Sequence, residues 1–137
     1  MTQEQKQLLL KALCAMSLYE VKCLCDSGDR PLTIAYINRG KVHIEEYPQP
    51  TYDIDAVKPY LRPISSITEE EEREVNGLLS EVYDFTFRMD ELLELIQMQK
   101  EIPFHYIDWL NSHHFDYRGL IEKGLALEAP EDMYQIN

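Results

Sequence analysis

Between positions 105 and 116 the chain gathers its most reactive side chains: His105, Asp108, Trp109, Asn111, Ser112, His113, His114 and Asp116. If His105, Asp108 and His113 converged, they could form a general acid-base centre or a metal site. Each helical residue turns by about 100°, so His105 and Asp108 are neighbours, while His113 lies two turns on and about 80° round. The adjacent His113 and His114 diverge by about 100°, unlike the zinc-protease pair, which is spaced four apart with a glutamate between. The pattern predicts instead that both histidines close a helix, where an imidazole suits exposed carbonyls. We expect no catalytic residue, no metal and no other cofactor.

Other reactive groups are no better placed. Ser65, Ser66 and Ser112 lack a nucleophile elbow, and Cys14 sits within a helix, away from the end that would activate a thiolate. Cys23 and Cys25 point to one face of a strand at a spacing poorly suited to bridging, and read as small buried hydrophobes. An odd count of three cysteines fits a reducing compartment. Gly28, Gly40, Gly77, Gly119 and Gly124 are too scattered to cradle a phosphate. The nine tyrosines are more unusual. Tyrosine is enriched where a ring is buried and its hydroxyl stays wet, as at a protein interface, although half-buried core tyrosines would look the same. The candidate interaction surface is Tyr60, Arg62, His105, Trp109, His113, Tyr117 and Arg118. Trp109 lies roughly 160° round the helix from Ile107, so that helix has two apolar faces, and Trp109 is expected to be buried.

These residues need positioning elements. Leu8, Leu9, Ala12, Leu13 and Met16 form the stripe of an amphipathic helix over 3–16. Tyr19–Cys25, Leu32–Ile37 and Val42–Tyr47 read as three strands of an antiparallel meander, joined through Asp26-Ser27-Gly28-Asp29 and Asn38-Arg39-Gly40. Residues 48–67 hold Pro48, Pro50, Pro59 and Pro63, and read as an irregular packed connector able to run along a sheet edge. Thr68 with Glu71 is a capping box, so the Glu69–Glu72 run belongs to a helix start. Val75, Leu78, Leu79 and Val82 continue that helix, a weak break falls near Asp84-Phe85-Thr86, and Met89, Leu92, Leu93 and Ile96 resume the stripe. Pro103 opens a helix through His114, and Leu125-Ala126-Leu127 are placed to add a final strand. The expected fold is α+β in one domain spanning 1–137: an N-terminal helix, a small antiparallel meander within 17–64, C-terminal helices within 68–124 packed on one face, and a flexible tail over 130–137.

The chain has 137 residues and a net charge of −12, unevenly spread. Residues 1–65 carry 8 acids and 8 bases, whereas residues 66–101 carry 11 acids and 3 bases. Such a body repels nucleic acid, so no direct nucleic-acid partner is expected. Lys11 interrupts Leu8-Leu9-Leu10, leaving neither a signal-peptide core nor a membrane span, which implies no membrane partner and a cytoplasmic protein.

Lys58-Pro59-Tyr60-Leu61-Arg62-Pro63-Ile64-Ser65-Ser66-Ile67-Thr68-Glu69-Glu70-Glu71, the run from Asp108 to Ile121, Gly124-Leu125-Ala126-Leu127-Glu128-Ala129 and the start Leu8-Leu9-Leu10-Lys11-Ala12-Leu13-Cys14-Ala15 together resemble a family of small uncharacterised proteins from phages and prophages of gut Bacteroidetes. Members of that family follow the start with a proline-tyrosine-glycine turn, where this chain has Ser17-Leu18-Tyr19-Glu20. The resemblance brings no activity or site residue. It implies a mobile-element product acting in the host cytoplasm. Three functional readings follow: a non-catalytic module binding an unknown protein partner; an acidic nucleic-acid mimic that inhibits a host DNA-binding protein; and a small hydrolase or metal-dependent enzyme using His105, Asp108 and His113.

Overall fold

The computed structural model describes residues 1–26, 28–47, 49–80 and 104–134. Thr2 starts α1 (Gln3–Ala15) with a reciprocal box: its hydroxyl accepts from the Gln5 N–H, and the Gln5 side chain accepts from the Thr2 N–H. Leu9, Ala12, Leu13 and Met16 are buried along one stripe, as a 3.6-residue period requires.

The meander follows as β1 (Lys22–Cys25), β2 (Leu32–Asn38) and β3 (Lys41–Ile44), paired antiparallel in sequence. Arg39 and Gly40 both have positive φ, 53° and 75°, the pattern of a two-residue hairpin turn that matches strand twist. β1 begins at Lys22 rather than at Tyr19, because the Tyr19 N–H turns back to the Met16 carbonyl and its hydroxyl is held by Asp108.

The connector is more regular than expected. It contains β4 (Thr51–Asp53), a 3₁₀ turn over Ile54–Ala56, β5 (Val57–Leu61) and a second 3₁₀ turn over Ile64–Ser66. β4 edges the sheet beside β3, and β5 crosses to the far side of β1, giving the order β4-β3-β2-β1-β5-β6 with β6 (Leu127–Glu128) parallel to β5. Pro59 therefore sits inside the sheet and not on its edge. The Asp26 N–H donates to the Ala56 carbonyl, which makes Cys25–Val57 and Cys23–Pro59 the non-hydrogen-bonded pairs of an alternating ladder. The missing proline N–H thus faces away from β1, and β6 pairs only with Tyr60 and Leu61.

Two helices complete the described fold: α2 (Glu69–Ser80) and α3 (Phe104–Ser112). The capping box forms as read: the Thr68 N–H donates to Glu71, and the Glu71 N–H donates to the Thr68 hydroxyl. α3 ends with the His114 N–H on the Asn111 carbonyl and the Phe115 N–H on the Leu110 carbonyl, with His114 at φ 62° where glycine is usual. Gly124 makes the same closure at φ 75° with Ile121 and Leu120. The break near Asp84 and the stripe from Met89 to Ile96 lie outside the described residues.

The sheet's main core is built from α1 and the 120–126 segment: Leu9, Leu13 and Met16 meet Cys23, Ile44, Val57, Leu61, Leu120 and Leu125. Val75, Tyr106, Trp109, Leu110, Phe115 and Tyr117 are buried outside that cluster.

Just beyond Pro130, Tyr134 is tied to the sheet. The Tyr134 hydroxyl accepts from the Lys22 N–H and donates to the Tyr60 carbonyl, both at 2.8 Å, bridging the ends of β1 and β5. Its ring stacks on His114 at 3.7 Å and 6°. Tyr134→Phe keeps the stack but strands both backbone groups, so it should cost about 1–3 kcal/mol. Urea unfolding should show this as a lower midpoint at unchanged slope.

Candidate functional site

Arg62, immediately after β5, joins the sheet to the helices. Its N–H donates to the His114 carbonyl and its own carbonyl accepts from the Asp116 N–H. Its guanidinium donates twice to Glu71 at 2.7 Å and once to the Ser66 carbonyl at 3.2 Å, and lies 4.2 Å over the Phe115 ring. Phe115 stacks on Trp109, and Trp109 stacks on His113 at 4.2 Å. Burial alone would raise the Glu71 carboxyl, but hydrogen bonds from Arg62 and the Thr68 N–H outweigh it and hold the group down at about 2.

A cleft of about 600 Å³ opens beside this stack, lined by Arg62, Glu70, Glu74, His113, Glu131 and Tyr134 among others. Two residues of the candidate surface are internal: Trp109, whose burial the helix pattern predicts, is 5% exposed with its indole N–H donating to Glu74, and Tyr117 is 7% exposed with its hydroxyl donating to Asn111. Both therefore form the interior behind the cleft and not a contact surface. Tyr60 is half-buried and its carbonyl is taken by Tyr134. Arg118 lies 4.6 Å over the Tyr117 ring, and its buried Nη1 has no hydrogen-bond partner among the described residues. The His105 side chain lies outside the described part of the chain.

Ser112, His113, His114 and Asp116 are each paired with backbone groups. The Trp109 carbonyl accepts from the Ser112 hydroxyl at 2.8 Å and is paired with His113 Nδ1 at 2.9 Å. Ser112 Oγ also lies 3.0 Å from His113 Nδ1; a carbonyl only accepts, so the Nδ1 paired with the Trp109 carbonyl carries the proton and is not placed to take one from Ser112. Asp108 is exposed and accepts from the Tyr19 hydroxyl at 2.7 Å, and no hydrogen bond joins it to His113. Asp116 accepts from the Leu120 and Ile121 N–H groups, closing a turn. His114 Nε2 pairs with the Glu20 carbonyl, and burial pushes this imidazole down to about 4. Among the described residues, no three His, Cys, Asp or Glu side chains are grouped to hold a metal.

A second concavity was not anticipated. A groove of about 310 Å³ runs between the end of α1 and β2, lined by Leu13, Cys14, Met16, Tyr19, Ile34 and Tyr36 with their neighbours Ser17, Val21, Ala35 and Ile37. Consecutive residues of a regular strand alternate faces, yet 34 to 37 all line it. The pairing of β2 with β3 shifts register between Ile34 and Tyr36, and such a bulge re-aims the side chains around it. In the lining Tyr36 is 56% exposed although stacked on His43 at 4.0 Å, and Leu18, between the lining residues Ser17 and Tyr19 in sequence, is 87% exposed. The groove lining includes no charged residue. The available sequence signal was Leu18 itself, a large apolar side chain between a finished helical stripe and a strand.

No family model, no curated protein and no solved structure matches the chain. Among the described residues, no helix is long and apolar enough to cross a membrane.

Two acid-sensitive groups give testable signs. Glu71 is depressed to about 2, so its contribution is complete above the ordinary carboxylate range and is lost as pH falls toward 2. His114 is depressed to about 4, so unfolded chains bind the proton first and stability falls as pH drops from about 6.5 through 4. Glu71→Gln should flatten the lower limb of a stability-pH curve, and His114→Asn, which tolerates positive φ, should flatten the upper one. The Arg62 and Glu71 side chains are 18% and 15% exposed. Arg62→Met should therefore cost about 2 kcal/mol, less than the 3–5 of a fully buried pair broken on one side, measured by denaturant titration at pH 7.

Proposed function

We propose that the chain is a non-catalytic protein-binding module whose contact surface is the apolar groove between α1 and β2. Its resemblance to phage and prophage proteins would place that module inside a bacterial host. The observation that carries this reading is the concavity itself, about 310 Å³ with no charged residue in its lining, together with the lining residue Tyr36, 56% exposed. A concavity with several aliphatic side chains in its lining is the ordinary form of a binding surface. The groups that would support catalysis point the same way: Ser112, His113, Asp108 and Asp116 each hold a backbone group or a tyrosine. The acidic-mimic reading gains no comparable support, because Glu71 is taken up by Arg62 and Thr68, and Glu74 by Trp109.

The test uses immobilised wild-type protein, Leu18→Asp and Tyr36→Asp in bacterial lysate. Wild type should retain a defined protein that both variants lose. Retention of nothing by wild type at low salt, or equal retention by all three, would overturn the reading.

A further inference from the structure

The cleft of about 600 Å³ shares no residue with the groove, and its lining has the opposite chemistry. Arg62 is its one lysine or arginine, and that guanidinium is taken up by Glu71 through two hydrogen bonds at 2.7 Å. Glu70, Glu74 and Glu131 also line the cleft, and no ion pair among the described residues includes them. Glu74 accepts from the Trp109 indole with Oε1 and keeps Oε2 free of that contact. We propose that this cleft binds a guanidinium group, held by the carboxylates of Glu70, Glu74 and Glu131 and by Nδ1 of His114.

His114 is what distinguishes the cleft from a patch of surface acids. The residue is 8% exposed, and it lines the cleft. Its Nε2 pairs with the Glu20 carbonyl, which only accepts, so Nε2 carries the proton and Nδ1 presents a bare lone pair. Burial pushes this imidazole down to about 4, and the lone pair therefore persists at neutral pH. No hydrogen bond within the described residues reaches Nδ1. Nor is it sealed in, since the fully buried side-chain atoms without a partner are Asn76 Oδ1 and Arg118 Nη1. Nδ1 thus meets open space, and the cleft is the open space that His114 lines. A side chain more than nine-tenths buried offers an acceptor there, and an acceptor calls for a donor.

Every group left over is therefore an acceptor, and their arrangement selects the cation. Among the described residues no three His, Cys, Asp or Glu side chains are grouped closely enough to hold a metal ion. Acceptors spread around a cleft suit a ligand whose donors point in several directions. An alkylguanidinium carries five N–H donors in a flat fork, whereas an ammonium concentrates three on one atom. The walls favour the flat group as well. His113 lies 4.2 Å from Trp109 and Tyr134 lies 3.7 Å from His114, so the lining includes stacked rings, against which a guanidinium face desolvates readily. Arg62 already shows the fit, with its own guanidinium 4.2 Å over Phe115 and forked onto a carboxylate. Glu70 and Glu74 add a further sign, because like charges four apart on a helix repel unless a cation lies between them. The same group occurs on a free alkylguanidine and on an arginine side chain of another protein.

Isothermal titration calorimetry of the full chain tests the proposal with three probes. Agmatine carries a free guanidinium, an acetylated alanine-arginine-alanine amide carries it on a peptide, and 1,4-diaminobutane replaces the guanidinium of agmatine by an ammonium at equal charge. Agmatine or the peptide should saturate with a Kd below about 1 mM, and the tighter of the two identifies the source. Diaminobutane should bind at least about fivefold more weakly than agmatine. Glu70→Gln with Glu131→Gln should weaken binding at least about tenfold, and Glu131→Gln alone, outside any helix, at least about threefold. Glu4→Gln with Glu122→Gln removes the same charge from exposed positions outside the lining and should change affinity less than about twofold. The ¹⁵N resonance of His114 Nδ1 should move upfield on saturation with agmatine. No saturation by agmatine or the peptide up to about 10 mM overturns the site. Equal weakening in the two double variants reduces the effect to the long-range field of the chain and also overturns it. Equal affinity for diaminobutane removes the guanidinium preference, and an unmoved His114 Nδ1 removes that nitrogen as the acceptor; either outcome overturns the proposal as stated.

Discussion

The Arg62–Glu71 ion pair ties β5 to α2, and most of what lies beyond the sheet is arranged around it. Arg62 uses three parts of itself at once. Its backbone continues β5 by a bridge to Phe115, its guanidinium lies over the Phe115 ring, and its two nitrogens meet both Glu71 oxygens at 2.7 Å. A planar fork fixes distance and angle together, which a lysine ammonium does not. Glu71 is also the third residue of the α2 capping box, so one carboxylate starts the helix and anchors it to the sheet. A partly buried charge pair adds little net stability over an apolar replacement. What it adds here is placement: the fork holds the first turn of α2 at a set distance and angle from the end of β5.

The same economy governs the end of α3. His114 occupies a left-handed conformation that costs a non-glycine residue on the order of 1 kcal/mol, and it buries an imidazole besides. Gly124 makes an equivalent closure with no side chain. The difference is that His114 has work to do in both directions. Its Nε2–H donates to the Glu20 carbonyl before β1, and its ring is the platform for Tyr134, whose hydroxyl bridges Lys22 and Tyr60. Glycine at 114 would relax the turn and remove both contacts, leaving the splayed ends of β1 and β5 to water.

Local signals were legible where a residue's role depends on its near neighbours. The α1 stripe, the Thr68–Glu71 box, the three meander strands and the helix stop at His113–His114 all rest on spacings of five residues or fewer. Trp109 was also legible as buried, because two apolar faces on one helix demand cover on both. What escaped depends on long-range partners. Pro59 reads as an edge or a loop, and its interior place becomes permissible only because the non-hydrogen-bonded phase of the β1–β5 ladder falls on it. Tyr134 follows a proline in an acidic, aperiodic run, and nothing nearby announces that its hydroxyl will span partners 112 and 74 residues away. Arg62 was singled out as a surface residue, and its partner Glu71 as a cap. That the two roles are one interaction is visible only when the sheet and α2 are placed together. The candidate site was least legible of all: the groove lies at a bulge in β2 that no residue type near 34–36 signals.

Charge segregation connects these local facts to the way the protein meets others. Folding tolerates the acids of 66–101 partly because a helix N-terminus accepts them: Glu69 to Glu72 sit in the first turn of α2, where the peptide dipoles favour negative charge. A helix start absorbs that charge locally and does not cancel its field at a distance, so an acidic part still repels acidic partners. The neutral remainder contains α1 and the meander, and there the exposed large hydrophobic side chains Leu18, Tyr36 and Tyr47 stand among exposed charges such as Lys11, Arg39 and Lys41. Apolar contact is short-ranged and needs surfaces to approach closely, whereas like-charge repulsion acts across roughly 8 Å at physiological salt. An apolar surface can therefore act only where the charge has been kept away from it. The acids are concentrated behind residue 66 in sequence, and the β2 bulge sets an uncharged groove lining between α1 and β2; the carboxylate that reaches its edge is Asp108, held by the Tyr19 hydroxyl at 2.7 Å.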